Sequence, residues 1–185
     1  MIDEIMADTK TRMKKSIAAV KVELAKIRTG RATPGLLDHV VVSYYGNDVP
    51  LNQAATISVS DARTLSVQAW EKNMVPTIEK AILESQLGLN PVTAGEVVRI
   101  PIPSLTEERR REMTKLVRTE GENGKVAIRN IRRDAISQAR DLVKSKDIGQ
   151  DDEKKGVEQI QSLTDQYTVE IDVLIKEKEA EIMEV

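Results

Sequence analysis

One stretch constrains the fold more than any other. Residues 104–146 read SLTEERRREMTKLVRTEGENGKVAIRNIRRDAISQARDLVKSK, without a proline and built mostly of good helix formers. Ser104 or Thr106 can serve as N-cap. Glu107 and Glu108 in the first turn, with Lys144 and Lys146 in the last, complement the helix dipole. At about 1.5 Å per residue this helix would extend about 60 Å, more than a compact domain of this size is wide. It therefore needs partners along its length. Met113, Val117, Ile128, Ile131, Ala135, Ala139 and Leu142 share one helical face and supply the apolar stripe for those partners. Arg111, Arg118, Lys125, Arg129, Arg132, Arg133 and Arg140 form a second, basic stripe on the polar side.

Two other segments have matching length and period. In residues 2–28, Met6, Met13, Val20 and Ile27 recur every seven residues, with Ile17 and Leu24 on the adjoining seam. Thr29-Gly30-Arg31-Ala32-Thr33-Pro34-Gly35 stops that helix. Near the C-terminus, Asp147-Ile148-Gly149-Gln150 makes a turn and Asp151, Asp152 and Glu153 open a third helix. Its apolar face carries Ile160, Leu163, Tyr167, Ile171, Leu174, Ile175 and Ile182.

Between the first and second helices the texture changes. Residues 37–42, 56–59, 64–70 and 97–100 read as strands, and residues 44–48 as a turn. Asn73 can cap a helix over residues 74–86, with Pro76 in its first turn and Gly88 just beyond its end. An amphipathic helix cannot bury its face alone, so residues 1–29 and 104–185 are expected to form one three-helix bundle. Residues 31–103 are then a small inserted domain, and the fold class is α+β. Two crossings, at Gly30 and Pro103, would join the domains as a hinge.

Charge is unevenly spread, although the net value is only −2. Residues 1–29 carry +3, residues 30–103 −2, residues 104–146 +5 and residues 147–185 −8. With no cysteine, thiolate metal sites and cysteine nucleophiles are excluded. No signal peptide and no apolar run of membrane-spanning length is evident, which points to a soluble, cytoplasmic protein with no membrane partner. An enzyme finds little support. His39 is the only histidine and reads as structural or surface, no carboxylate pair stands out, and no phosphate-binding glycine pattern occurs. Neither a catalytic residue, nor a metal site, nor a cofactor is expected.

The basic stripe is the strongest functional signal. Its plain alternative is a solvated face neutralised by ion pairs, with the acidic third helix as competing sink. Arg129, Arg132 and Arg133, however, lack acids at the spacing needed to neutralise all three, and arginine suits multidentate phosphate contacts. The second helix has no aromatic residue on which to stack unpaired bases, so the expected target is the phosphates of folded RNA. Gly121 and Gly124 lie toward its apolar side. They either admit a neighbouring helix closely or form a soft spot costing about 1 kcal/mol each relative to alanine. The soft spot is the plainer reading, and it predicts that alanine at both positions stabilises the chain.

Seven stretches together carry a full-length resemblance. They are KIRTGRATPGLLD (residues 26–38), YYG (44–46), SDARTLSV (60–67), IEKAI (78–82), LGLNP (87–91), RIPIPSLTEERR (99–110) and VAIRNIRRDA (126–135). The chain resembles the bacterial ribosome recycling factors. That resemblance implies an L-shaped protein with a three-helix bundle and a β/α/β domain on a flexible hinge. It also implies a non-enzymatic role: with elongation factor G and GTP, dissociation of the post-termination ribosome into subunits. Family members lay the bundle on large-subunit ribosomal RNA, and conserved arginines of the second helix touch it. Carried onto this sequence, these are Arg129, Arg132 and Arg133, with Lys125 on the same stripe. The family hinge maps to Thr29, Gly30, Arg31, Pro103 and Ser104, and elongation factor G acts on the smaller domain. A monomer is expected. Glycine at 121 and 124 departs from the family, which usually has alanine or a polar helix former there. The competing class is a helical adaptor or chaperone that binds only protein.

Overall fold

The computed structural model describes residues 1–184, which divide into two compact units. The first unit comprises Met1–Thr29 and Glu107–Glu184, and the second Gly30–Thr106.

The first unit is built from three helices: α1 (Ile2–Ala25), α3 (Glu107–Lys144) and α4 (Gln150–Met183), with α2 (Val75–Leu83) lying in the second unit. α1 buries Ile5, Thr9, Met13, Ile17, Val20 and Leu24, the three- and four-residue spacing of one helical face. Ile5, not Met6, lies deepest at its start, and Met6 packs only against the edge of the core. From α3, Met113, Val117, Ile128, Ile131, Ala135 and Ala139 are buried, and Leu142 is partly so. From α4 come Ile160, Tyr167, Ile171 and Ile182, with Leu163, Leu174 and Ile175 at the margin. Two buried threonines also face this core. Each donates its hydroxyl to the carbonyl four residues back, Thr9 to Ile5 at 2.7 Å and Thr164 to Ile160 at 2.8 Å. Neither hydroxyl is left unsatisfied, which a buried polar group could ill sustain.

The glycines of α3 overturn the soft-spot reading. Both are buried. A Cβ on Gly124 would stand 2.4 Å from Val20 Cγ2 of α1 and 3.3 Å from Ile171 Cδ1 of α4. One on Gly121 would stand 2.1 Å from Ile175 Cδ1. The missing side chains let both neighbouring helices approach α3 at its middle, a packing role that the propensity argument alone leaves out.

In the second unit, β3 (Ala55–Asp61), β4 (Thr64–Ala69), β6 (Val97–Pro101) and β5 (Val92–Ala94) form one antiparallel sheet in the order β3-β4-β6-β5. Alternation along the central strands buries Leu65, Val67 and Ala69 of β4 and Val98 and Ile100 of β6. Leu65 lies opposite Ile100, and Val67 opposite Val98. α2 (Val75–Leu83) completes this core with Val75, Ile78 and Ile82.

A separate hairpin pairs β1 (Val41–Tyr44) with β2 (Asn47–Pro50). Its turn is Tyr45-Gly46, with φ of 51° and 82°. Positive φ at both positions is what a tight two-residue hairpin turn requires. The expected turn over residues 44–48 is therefore narrower, and its last two residues begin β2. The strand expected from residue 37 starts at Val41, because Pro34 initiates a 3₁₀ turn that runs through Leu37. Asn73 does not cap α2. It lies inside a 3₁₀ turn (Lys72–Met74) that winds directly into the helix, so no extended residue is present to act as a cap.

Candidate RNA-binding face

α3 sorts its cations by the direction they face. Four reach across to α4. Arg118 Nε meets Glu179 Oε1 at 2.8 Å, and Lys125 Nζ meets Asp172 Oδ1 at 2.5 Å. Arg132 Nη1 donates to Gln161 Oε1 at 3.1 Å, and Arg140 Nε approaches Glu153 Oε1 to 3.8 Å. The acidic third helix is thus a real sink for the stripe, and Lys125, half-buried in the seam, is engaged there. Ion pairs this exposed are worth roughly 0–1 kcal/mol each, so they set local charge more than they hold the helices together.

The three candidate arginines therefore differ. Arg129 is paired with Glu122 at 2.7 Å, a carboxylate two turns back on its own helix. Residue spacing alone understated that pairing. Arg132 is half-buried, not an exposed cation; among the described residues its Nε is buried without a partner, and its side chain is bonded only to a neutral amide. Arg133 is exposed and has no ion-pair partner among the described residues. A shallow depression of about 420 Å³ opens beside it, lined by four cations, Arg132, Arg133, Arg140 and Lys144, and by Ile136, Ser137 and Asp141, the last paired with Lys144 at 3.7 Å. Donor-only guanidinium and ammonium groups around a shallow dip can hold phosphate oxygens. They offer no nucleophile or general base. Among the described residues, no group of three histidine, aspartate or glutamate side chains could hold a metal ion. His39 is exposed in a turn.

The residues at the crossings also have defined partners. Gly30 has φ of 80°, a left-handed backbone that favours glycine. Ala32 N–H donates to Ala62 O at 2.8 Å, and Ile102 N–H to Arg63 O at 2.7 Å. Arg63 Nη1 in turn donates to Ser104 Oγ at 2.5 Å. One turn, between β3 and β4, thus fastens both ends of the second unit. Ser104 is thereby tied to that turn of its own unit.

Sequence reasoning named the acidic third helix as a sink for the stripe but not the partners within it, Glu179, Asp172, Glu153 and Gln161, although 118 and 125 on α3 against 172 and 179 on α4 share a seven-residue spacing. It missed a second grouping altogether, that of Tyr44, Tyr45 and Glu71. Tyr44 donates to Glu71 Oε1 at 2.8 Å, Tyr45 donates to Oε2, and the two rings meet edge to face at 4.7 Å. The hydrogen bonds to Glu71 raise both tyrosine pKa values, and those same bonds, from Tyr45 first and then Tyr44, lower that of Glu71.

Residues 20–183 match the family model described as ribosome recycling factor. The ribosome-recycling factor of Legionella pneumophila (strain Corby) is 57% identical over 185 residues, the whole of both chains. That of Cupriavidus metallidurans is 58% identical over 184 residues, covering 97% of this chain and 99% of the relative. Among solved structures, a solution structure of the ribosome recycling factor matches with a TM-score of 0.75 and 41% identity, over 100% of this chain and 98% of that one. Another, with a TM-score of 0.65, 46% identity and 98% of each chain covered, comes from models for the T. thermophilus ribosome recycling factor and the E. coli elongation factor G bound to the E. coli post-termination complex.

Proposed function

Because the chain belongs to the ribosome recycling factor family, we propose that it dissociates the post-termination ribosome into subunits, together with elongation factor G and GTP. α3 is the gripping element: Arg133, Arg132 and Arg129 contact phosphates of large-subunit RNA. Lys125 contributes only if Asp172 releases it. The second unit receives the push of elongation factor G, and the crossings at Thr29-Gly30-Arg31 and Pro103-Ser104 transmit it as a hinge. GTP hydrolysis belongs to the partner, and this chain acts without chemistry of its own, as a monomer in the cytoplasm. No helix among the described residues is long and apolar enough to cross a membrane.

One observation carries this reading. Along α3, Arg118, Lys125 and Arg140 face carboxylates of α4, whereas Arg132 and Arg133 have no carboxylate partner among the described residues. A protein-binding adaptor has no need of such a gap. The test is subunit splitting with and without elongation factor G and GTP, using wild type and Arg133→Glu. Wild type is expected to split ribosomes only with both. Arg133→Glu should keep its helical circular dichroism and lose ribosome affinity, less so as salt rises. Ribosome binding that ignores both salt and Arg133→Glu would favour the adaptor.

A further inference from the structure

Among the described residues, four polar side-chain contacts are seen across the α3–α4 seam, and three of the four α4 partners are carboxylates: Glu179, Asp172 and Glu153. The fourth, opposite Arg132, is an amide. Gln161 Oε1 accepts from Arg132 Nη1 at 3.1 Å, and Gln161 Nε2 donates to Asp165 Oδ1 at 2.9 Å. A guanidinium only donates and a carboxylate only accepts, so the amide can satisfy both neighbours in one orientation alone. Its oxygen must face Arg132. A carboxylate is present here too, but it stands one link back, behind a neutral group.

We propose that Gln161, held by Asp165, is a positioning residue that aims the Arg132 guanidinium without neutralising it. The inference rests on the reading of Arg132 as an RNA contact. A carboxylate at position 161 would pair with Arg132 directly, and phosphate would have to compete for the same N–H groups. An amide fixes the side chain through one hydrogen bond and leaves the whole positive charge to the ligand. Burial of Nε keeps water from one edge of the guanidinium, which strengthens a charge-assisted contact made from the other.

The experiment is equilibrium binding to purified large ribosomal subunits across a series of salt concentrations, with thermal melting of each variant alongside. Arg132→Ala removes the contact. It should weaken binding about tenfold, the scale of one lost charge-assisted hydrogen bond. It should also reduce the slope of log affinity against log salt by somewhat under one. Gln161→Glu keeps the arginine but pairs it, and should reproduce most of that loss of affinity and the same loss of slope. Gln161→Ala removes the aim but not the charge. It should keep the wild-type slope and bind only a few-fold more weakly. If Gln161→Glu melts early, adding Asp165→Asn removes the like-charge neighbour, and the double variant carries the same expectation.

Wild-type affinity and slope for Gln161→Glu, beside a loss for Arg132→Ala, would overturn the positioning role and leave the RNA contact standing. Wild-type binding by Arg132→Ala would remove the contact itself. Equal losses of melting temperature in both Gln161 variants, with unchanged salt slopes, would reduce Gln161 to a packing residue and end the proposal.

Discussion

In the inserted unit, the buried side chains form one continuous cluster in which β4, β6 and α2 all share, with Leu65, Ile78 and Ile100 fully enclosed. The bundle instead strings its apolar residues into layers along the helices. Met13, Ile17, Ile128, Ile131, Tyr167 and Ile171 make one layer, and Ile5, Ala135 and Ile160 another. In the first arrangement a packing defect is felt by the whole unit, which contains no residue of α3. In the second, core and function are neighbours in sequence: Ile131 is buried and Arg132, the next residue, reaches Gln161. A long helix spends one face on stability and the adjoining face on recognition.

The sharpest way to break this contrast is Ile78→Ala. Ile78 is fully buried between α2 and the sheet, and truncation there should cost about 3 kcal/mol. Trp70 is the only tryptophan and reports the inserted unit, whereas helical circular dichroism is dominated by the bundle. Urea unfolding followed by tryptophan fluorescence should shift, with the helical transition left nearly in place. Equal shifts in both signals would mean that the two units unfold as one.

Gly124→Ala makes the reciprocal test inside the bundle. The new methyl meets Val20, whose branched side chain is stiff at χ1, so overpacking should outweigh the gain of about 1 kcal/mol in helix propensity and leave a net loss of roughly 1–2 kcal/mol. Val20→Ala in the same chain should recover part of that loss. Gly121→Ala should also cost stability, since the new methyl meets Ile175 Cδ1 at 2.1 Å and Cγ1 at 2.6 Å, and Cγ1 stands on a β-branched carbon as stiff as that of Val20. A Gly124→Ala protein more stable than wild type would revive the soft-spot reading.

The crossing between units comes next. Gly30→Val puts a β-branched residue at a φ of 80°, which costs L-residues about 1–2 kcal/mol. Ribosome binding should survive while splitting driven by elongation factor G falls. A fluorophore pair, one on each unit, should give a broad distance distribution in wild type and an altered one in the variant. A single narrow distribution in both would end the hinge proposal.

The smallest effect concerns pH and is confined to the inserted unit. The lowered pKa of Glu71 means that its bonds to Tyr45 and Tyr44 favour the charged form in the folded state. That contribution is present above the ordinary value of 4.5 and is lost as pH falls through the lowered folded value. The raised tyrosine values work at the other end, favouring the folded state until pH rises past 10 and through their folded pKa values. Glu71→Gln should bring tyrosine ionisation, followed by ultraviolet absorbance, back toward 10. An unchanged titration would show that the pair is not held by Glu71.

The sequence made the helices and most strands legible because each has a period of its own. Met113, Val117, Ile128 and Ile131 declare a helical face whatever they touch. Leu65 and Val67 declare a strand in the same way. What escaped depends on register between elements. Glu122 reaches Arg129, and Asp172 holds Lys125, only because two turns of α3 and the alignment of α4 bring them together. Gly124 looks like a weakness until Val20 is seen 2.4 Å from its missing Cβ. Tyr45 at positive φ could not be foreseen from a residue type that rarely adopts it. For the candidate site, the arginines were legible as cations, but which of them kept its charge was a tertiary fact.

The bundle is discontinuous, and that has a consequence for how the chain is made. α1 leaves the ribosome before α3, with Met13, Ile17, Val20 and Leu24 ready to be covered, and α3 does not begin until Glu107. At roughly 5–20 residues per second, synthesis of residues 26–106 takes roughly 4–16 s. A lone amphipathic helix of this length is marginal in water, so its apolar stripe spends those seconds uncovered. The inserted unit is contiguous and can close its own core meanwhile. A helix made well before α3 and α4 thus waits longest for its partners, and during that interval α1 is the stretch most in need of a chaperone.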